Sequence, residues 1–316
     1  MKRSIQLILA AATVAVGIAP MTAIAAYPER PVTVIIPYKP GGSTDTTLRL
    51  IAQVLEKELG QKILLKNTSG AAGATGMAEA FRSKPDGYTL GTYNTNTEIV
   101  QATGNAEFDS EDMVPVALFG DGYLTVTAKG DGPYMNLADV KKAALAKPNT
   151  VSVAMGRGTL AQFGAVLLAE RLGAPLKIVN VGNGAKKKAA VLGGHEDTLL
   201  EPAASLVDLH NAKKLRILAI FAPNRVDFLP NVPTAKEQGV DLVASQVLGL
   251  FAPKGTPADR VKVIADAVSK VPEHKEIYAR LMKFGLVWNF KAGDDFRAFM
   301  RENKKMMFSV KEKAGF

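Results

Sequence analysis

Short β-branched runs alternate along this chain with longer amphipathic stretches. Val32 to Ile36 (VTVII) is almost continuously apolar, the pattern of a strand covered on both faces, and Pro37 ends it. A glycine turn follows. From Thr46 the apolar residues then recur at helical spacing as far as Gly60, which reads as a C-cap. Lys62 to Leu65 predicts a second strand, and Met77 to Ser83 a helix. Pro85-Asp86-Gly87 predicts a turn and Tyr88 to Tyr93 a third strand. This strand–helix alternation predicts a doubly wound α/β sheet. Val114 to Leu118 and Leu124 to Ala128 read as two further strands. The polar KGDGP stretch, Lys129 to Pro133, then reads as a crossover into a second domain. There the alternation resumes, with strands at Val151–Met155, Lys177–Val181, Thr198–Leu200 and Leu215–Phe221 and helices between them. Val247 to Ala252 is a last apolar run, a helix starts near Pro257, and the remainder to Phe316 reads as mostly helical. The expected division is a leader at 1–26, a first domain at 27–128, a second at 129–246, and a return to the first at 247–316.

The amino end changes the picture of where the chain works. Lys2 and Arg3 precede an uncharged apolar run, Ile5 to Ala19, and Ala23-Ile24-Ala25 is a small-x-small cleavage pattern. These are the parts of a secretory signal peptide cleaved near Ala25 or Ala26, so the expected location is the periplasm. With no cysteine there is no disulfide and no lipid-modified start, and a chain of 316 residues is long enough to bury a core without either. The formal charge is +9, or +7 once Lys2 and Arg3 are removed. That balance suits an anionic small solute. The basic residues are dispersed, and the densest run, Lys186-Lys187-Lys188, reads as the solvated side of a short helix. Export and the lack of a recognisable module argue against nucleic acid.

Three glycine-rich loops carry the candidate chemistry. Gly41-Gly42-Ser43-Thr44, Ser69-Gly70-Ala71-Ala72-Gly73 and Gly156-Arg157-Gly158-Thr159 each stand just ahead of a predicted helix. Glycine lets a ligand approach the backbone. The helix start adds unpaired N–H donors and partial positive charge. Hydroxyls of Ser43, Thr44, Ser69 and Thr159 extend the donor set, so these ends suit a negatively charged solute with no metal and no cofactor. Read singly, each loop is equally an ordinary N-cap and tight turn. Enzyme signatures are weak. No Walker loop is present, and GRGTLA lacks the downstream acid of a dinucleotide site. GGSTD has Asp45 where a nucleophile elbow needs glycine. His195-Glu196-Asp197 in GGHED reads as a solvated turn, not a metal chelate.

Taken in order, YPERPVTVIIPYKPGGSTD (Tyr27 to Asp45), NTSGAAGATG (Asn67 to Gly76), PDGYTL, LRILAI, LPNVPTAKEQG and LFAPKGTP resemble one family across the whole mature chain. It is that of the periplasmic solute receptors of tripartite tricarboxylate transporters, the TctC-like or Bug receptors. The resemblance implies two doubly wound α/β domains joined by two crossover strands, a type II periplasmic-binding-protein (Venus flytrap) fold closing on a carboxylated solute. The solute would be a di- or tricarboxylate, aromatic acids included. It also implies transporter subunits in the membrane or a sensor kinase as partner, and the free domain motion that closure requires favours a monomer. A periplasmic sensor or an enzyme acting on an organic acid in the same cleft remains the alternative.

In this reading Ser43 and Thr44 donate to a carboxylate while Asp45 orients the loop or a water. Tyr38 is a ligand platform, and Asn94 joins the contacts at the end of the third strand. The chain departs from the family pattern at five places, one of them Gln246-Val247-Leu248-Gly249, which stands where a W-Y-G-like motif is frequent. Gln162 stands where a histidine is frequent, and Asn183 stands where an aromatic wall is frequent. Arg157 is an unusual loop cation, read either as the partner of a second ligand carboxylate or as a solvated side chain. Glu201 is a longer acid that shrinks the pocket or accepts a hydrogen bond from a ligand hydroxyl or ammonium.

Overall fold

The structure is a computed structural model describing residues 27–315; the leader read at 1–26 lies outside the described residues. Strand β1 (Val32–Ile36), buried over nearly its whole length, lies between β2 (Ile63–Asn67) and β3 (Thr89–Asn94) and runs parallel to both. Helices α1 (Ser43–Leu59) and α2 (Ala74–Phe81) make the crossovers, and α3 (Thr95–Ala102) leaves β3 directly. Both α1 and α2 begin three residues earlier than the spacing predicts. The end of α1 falls where expected: Gly60 takes φ 65° and its N–H returns to the Glu56 carbonyl, a geometry that favours glycine.

The middle of the chain builds a second unit. Its elements are α4 (Leu137–Ala146), β5 (Ser152–Met155), α5 (Leu160–Leu172), β6 (Lys177–Asn180), α6 (Gly184–Leu192), β7 (Thr198–Pro202), α7 (Val207–Asn211) and β8 (Leu215–Ile220). Strand β5 runs parallel to β6 and β7. The chain then returns through β9 (Ser245–Ala252), α8 (Ala258–Ser269), α9 (Lys275–Lys283), β10 (Val287–Lys291) and α10 (Gly293–Val310).

Two expectations are corrected. The strands read at Val114–Leu118 and Leu124–Ala128 are one strand, β4 (Val114–Lys129), of 16 residues. Gly120, Asp121 and Gly122 look like a break in sequence. Gly120 is small because Leu286 packs on it, and Asp121 is held by Ser245, Tyr123 and Asn289. The tail is not helical throughout either, because β10 pairs antiparallel with β4 at Val287–Asp121 and Trp288–Gly120. Its Trp288 and Phe290 rings stack on each other and shield the strand.

Strand order is β2-β1-β3-β9-β4-β7-β5-β6, with β8 and β10 also on β4. Strand β4 pairs with β9 from Val114 to Tyr123 and with β7 from Leu124 to Ala128. One strand thus serves both sheets, and two α/β lobes meet along β4 and β9. Val34, Ile51 and Leu250 sit in the first lobe's core. Val153, Phe163 and Leu168 sit in the second, where Met307, Val310 and Ala314 from the chain's end join them.

Candidate functional site

A cavity of about 1090 Å³ opens between the lobes. Helix starts surround it. Gly41, Ser43 and Thr46 bring the amino end of α1, Thr159, Leu160 and Ala161 that of α5, and Gly182, Asn183 and Gly184 that of α6. Asn96, in the first turn of α3, adds a further polar group. No side chain caps α1 or α5, and among the described residues the first N–H groups of each, those of Ser43 and Thr44 and of Leu160 and Ala161, stay available, while the Gln162 N–H bonds the Thr159 carbonyl.

The first loop is braced from behind. Asp45 Oδ2 accepts from the Gly41 N–H at 2.9 Å, and Oδ1 accepts from Asn67 Nδ2 at 3.0 Å. Arg49 closes on the same carboxylate at 2.8 and 3.0 Å. The guanidinium, more than the loop N–H, holds the Asp45 carboxyl down at about 2, against the desolvating effect of burial. Asp45 is thus neutralised, and it shapes the loop without opposing the positive end of α1.

The third loop is fixed in a similar way. Thr159 Oγ1 donates to the Gly156 carbonyl at 2.7 Å, and Gln162 Oε1 accepts from the Gly158 N–H at 2.7 Å. Gln162 Nε2 donates to the Ala314 carbonyl, tying this loop to the chain's end. The Arg157 N–H donates to Asn180 Oδ1. The second loop turns through left-handed backbone at Ala71 (φ 44°) and Ala72 (φ 56°), a conformation costly for residues with a Cβ.

Of the residues named from sequence, the cavity walls gather Gly41, Ser43, Thr159, Asn183 and Glu201. Thr44 lines an adjoining cleft with Ser43 and Gln246. Gly42 is the α1 cap, and Gly156 and Gly158 shape the third loop. Ser69, Gly70, Ala71, Ala72 and Gly73 are not part of the cavity wall; Gly73 packs on the Tyr38 ring and Gly70 on Thr75. The Tyr38 hydroxyl bonds Asn94, and burial pushes it up to about 12. Tyr38 and Asn94 therefore join β1 to the start of α3. Asn183 caps α6 through its side chain.

Sequence reasoning missed three features. Lys187 is not solvated: it is 4% exposed, its ammonium lies 2.9 Å from Glu201 Oε1, and it donates to the Leu200 carbonyl at 2.8 Å. The signal was present, since Lys187 falls one turn before the buried Val191 on α6. Asn96 was legible as a polar residue just past a strand's carboxyl end. Arg280, Lys283 and Phe284 flank the cavity from α9 and its end, and nothing in their local pattern marks them.

Residues 47–315 match the family of the tripartite tricarboxylate transporter receptors. BugT of Bordetella pertussis is 28% identical over 307 residues, covering 95% of this chain and 94% of that protein. A TctC solute-binding protein from Polaromonas, solved without ligand, superposes with a TM-score of 0.82 at 27% identity, covering 91% of this chain and 100% of its own. MatC from Rhodopseudomonas palustris, solved with bound malate, gives 0.72 at 26%, covering 91% and 99%.

Proposed function

We propose that this chain, which belongs to the tripartite tricarboxylate transporter receptor family, captures a small organic carboxylate between its lobes in the periplasm. The closed form would then be handed to a membrane transporter. The observation that carries this reading is the convergence of uncapped helix starts from opposite lobes, α1 and α5, on one cavity. Helix starts bind anions through N–H groups and partial charge, so a carboxylate between two of them holds the lobes together. Gly41, Ser43 and Thr159 are the proposed contacts, with Asn96 and Asn183 beside them. The change of β4 pairing from β9 to β7 at Tyr123–Leu124 supports crossovers there and next to Ser245. The cavity's volume lies just above the roughly 300–1,000 Å³ range of small-molecule sites, room that lobe closure would reduce. Malate in MatC supports a di- or tricarboxylate as the first class to try. Arg280 and Lys283 offer cations for a second acid group.

A thermal-shift screen of aliphatic and aromatic acids beside their methyl esters tests the reading. Some acids should raise the melting temperature while their esters do not. Equal shifts from acid and ester, or none from any acid, would contradict it.

A further inference from the structure

The Lys187–Glu201 pair has no part in the reading above, yet it is built into the cavity wall. Glu201 lies on β7 opposite Thr125 of β4, at the point where the crossover strand enters the second lobe, and the Thr125 hydroxyl donates to its carbonyl. Lys187 comes from α6. Both side chains line the cavity, and they are only 5% and 12% exposed. The ammonium meets Glu201 Oε1 at 2.9 Å. The carboxylate also lies against Gly184, where a Cβ would come within 2.3 Å of Oε1. The position of this carboxylate is therefore fixed from two sides, by a buried cation and by a glycine that leaves room for it.

The other oxygen is in a different situation. Among the described residues no protein donor meets Glu201 Oε2, and no buried side-chain nitrogen or oxygen there lacks a partner. Oε2 is therefore an accessible acceptor on the cavity wall. Closure of the lobes would strip water from it. A carboxylate oxygen desolvated without a donor is costly, and a ligand carboxylate set against it would be repelled. A ligand O–H or N–H would meet it with a charge-assisted hydrogen bond.

We infer that Glu201, positioned by Lys187, selects solutes carrying a hydroxyl or ammonium donor beside the captured carboxylate. The solute class is then hydroxy or amino acids, in preference to their unsubstituted parents. This rests on the carboxylate-receptor reading and narrows it. Lys187 does not serve as a cation for the ligand, because Glu201 already neutralises it. It is a positioning residue.

Isothermal titration of the mature chain with malate and aspartate against succinate, and with mandelate against phenylacetate, tests the inference. Loss of a hydrogen bond to a charged group predicts about 10- to 100-fold weaker binding of the unsubstituted acid. If malate binds and aspartate does not, the donor is a hydroxyl; the reverse makes it an ammonium. The double variant Lys187→Met with Glu201→Leu removes pair and acceptor together without stranding a charge. Its ratio between substituted and unsubstituted acid should fall to about one. Glu201→Gln keeps the shape of the wall and, at a cost in stability, leaves the Lys187 cation without its counter-charge, so succinate should bind that variant more tightly than it binds wild type. Wild type binding succinate as well as malate and aspartate would overturn the inference and leave the receptor reading standing. So would either variant retaining the wild-type ratio. Failure of every acid to bind would overturn both.

Discussion

Asp45 and Glu98 give the chain opposite responses to pH. Asp45, drawn from 3.8 to about 2 chiefly by Arg49, contributes stability that is complete above about 4 and is lost as pH falls through about 2. Glu98 is fully buried on α3, where Tyr93, Ser110 and Gln101 donate to it. Burial raises its carboxyl from 4.5 to about 7 despite those donors. Between those values the folded chain keeps a proton that the unfolded chain has released. Stability therefore falls as pH rises from about 4.5 to about 7, then levels. Urea midpoints measured from pH 2 to 8 should show this descending limb, and Glu98→Gln should flatten it; an unchanged limb in the variant would contradict the assignment. At this scale the sequence was most legible where chemistry is local. Ser43 and Thr159, named from their glycine loops, and Glu201, named through the family resemblance, line the cavity. Lys187 was hidden in a charge run, since its burial depends on Glu201, fourteen residues away, completing the pair.

Among the elements, β4 shows how tertiary packing overrides a local break. The Gly-Asp-Gly at 120–122 reads as a turn, yet the strand continues because β9 pairs along it and β10 covers its edge. Gly120 is required by Leu286: a Cβ there would lie 2.4 Å from Leu286 Cδ1. Gly120→Ala should cost about 1–3 kcal/mol by overpacking. Leu286→Ala in that background should recover part of the loss, as read by urea denaturation. An alanine variant as stable as wild type would contradict this account of the strand. Helices α1 and α5 were legible to their glycine caps, Gly60 and Gly173, because left-handed backbone favours glycine. Strand β10 was not, because its identity comes from pairing with a strand more than 160 residues earlier.

At the scale of the whole molecule, the two lobes follow from the repeated strand–helix alternation, which the sequence carries twice, whereas the strands shared between them were implied only by the family resemblance. The closing of the chain does not follow from that alternation. Ala314 and Lys313, at the far end, reach Gln162 and Glu170 of the second lobe, and α10 runs from Phe296 in one core to Val310 in the other. No local pattern announces a contact across 152 residues. The same scale holds the central claim, that helix starts from both lobes close on a carboxylate. Native mass spectrometry of the chain, purified from its host without dialysis and then denatured to release what it carries, tests that most directly. The account predicts one organic acid per chain, carrying a hydroxyl or ammonium. A released ligand with no acid group, or an empty chain that takes up no organic acid when titrated in the same instrument, would contradict it.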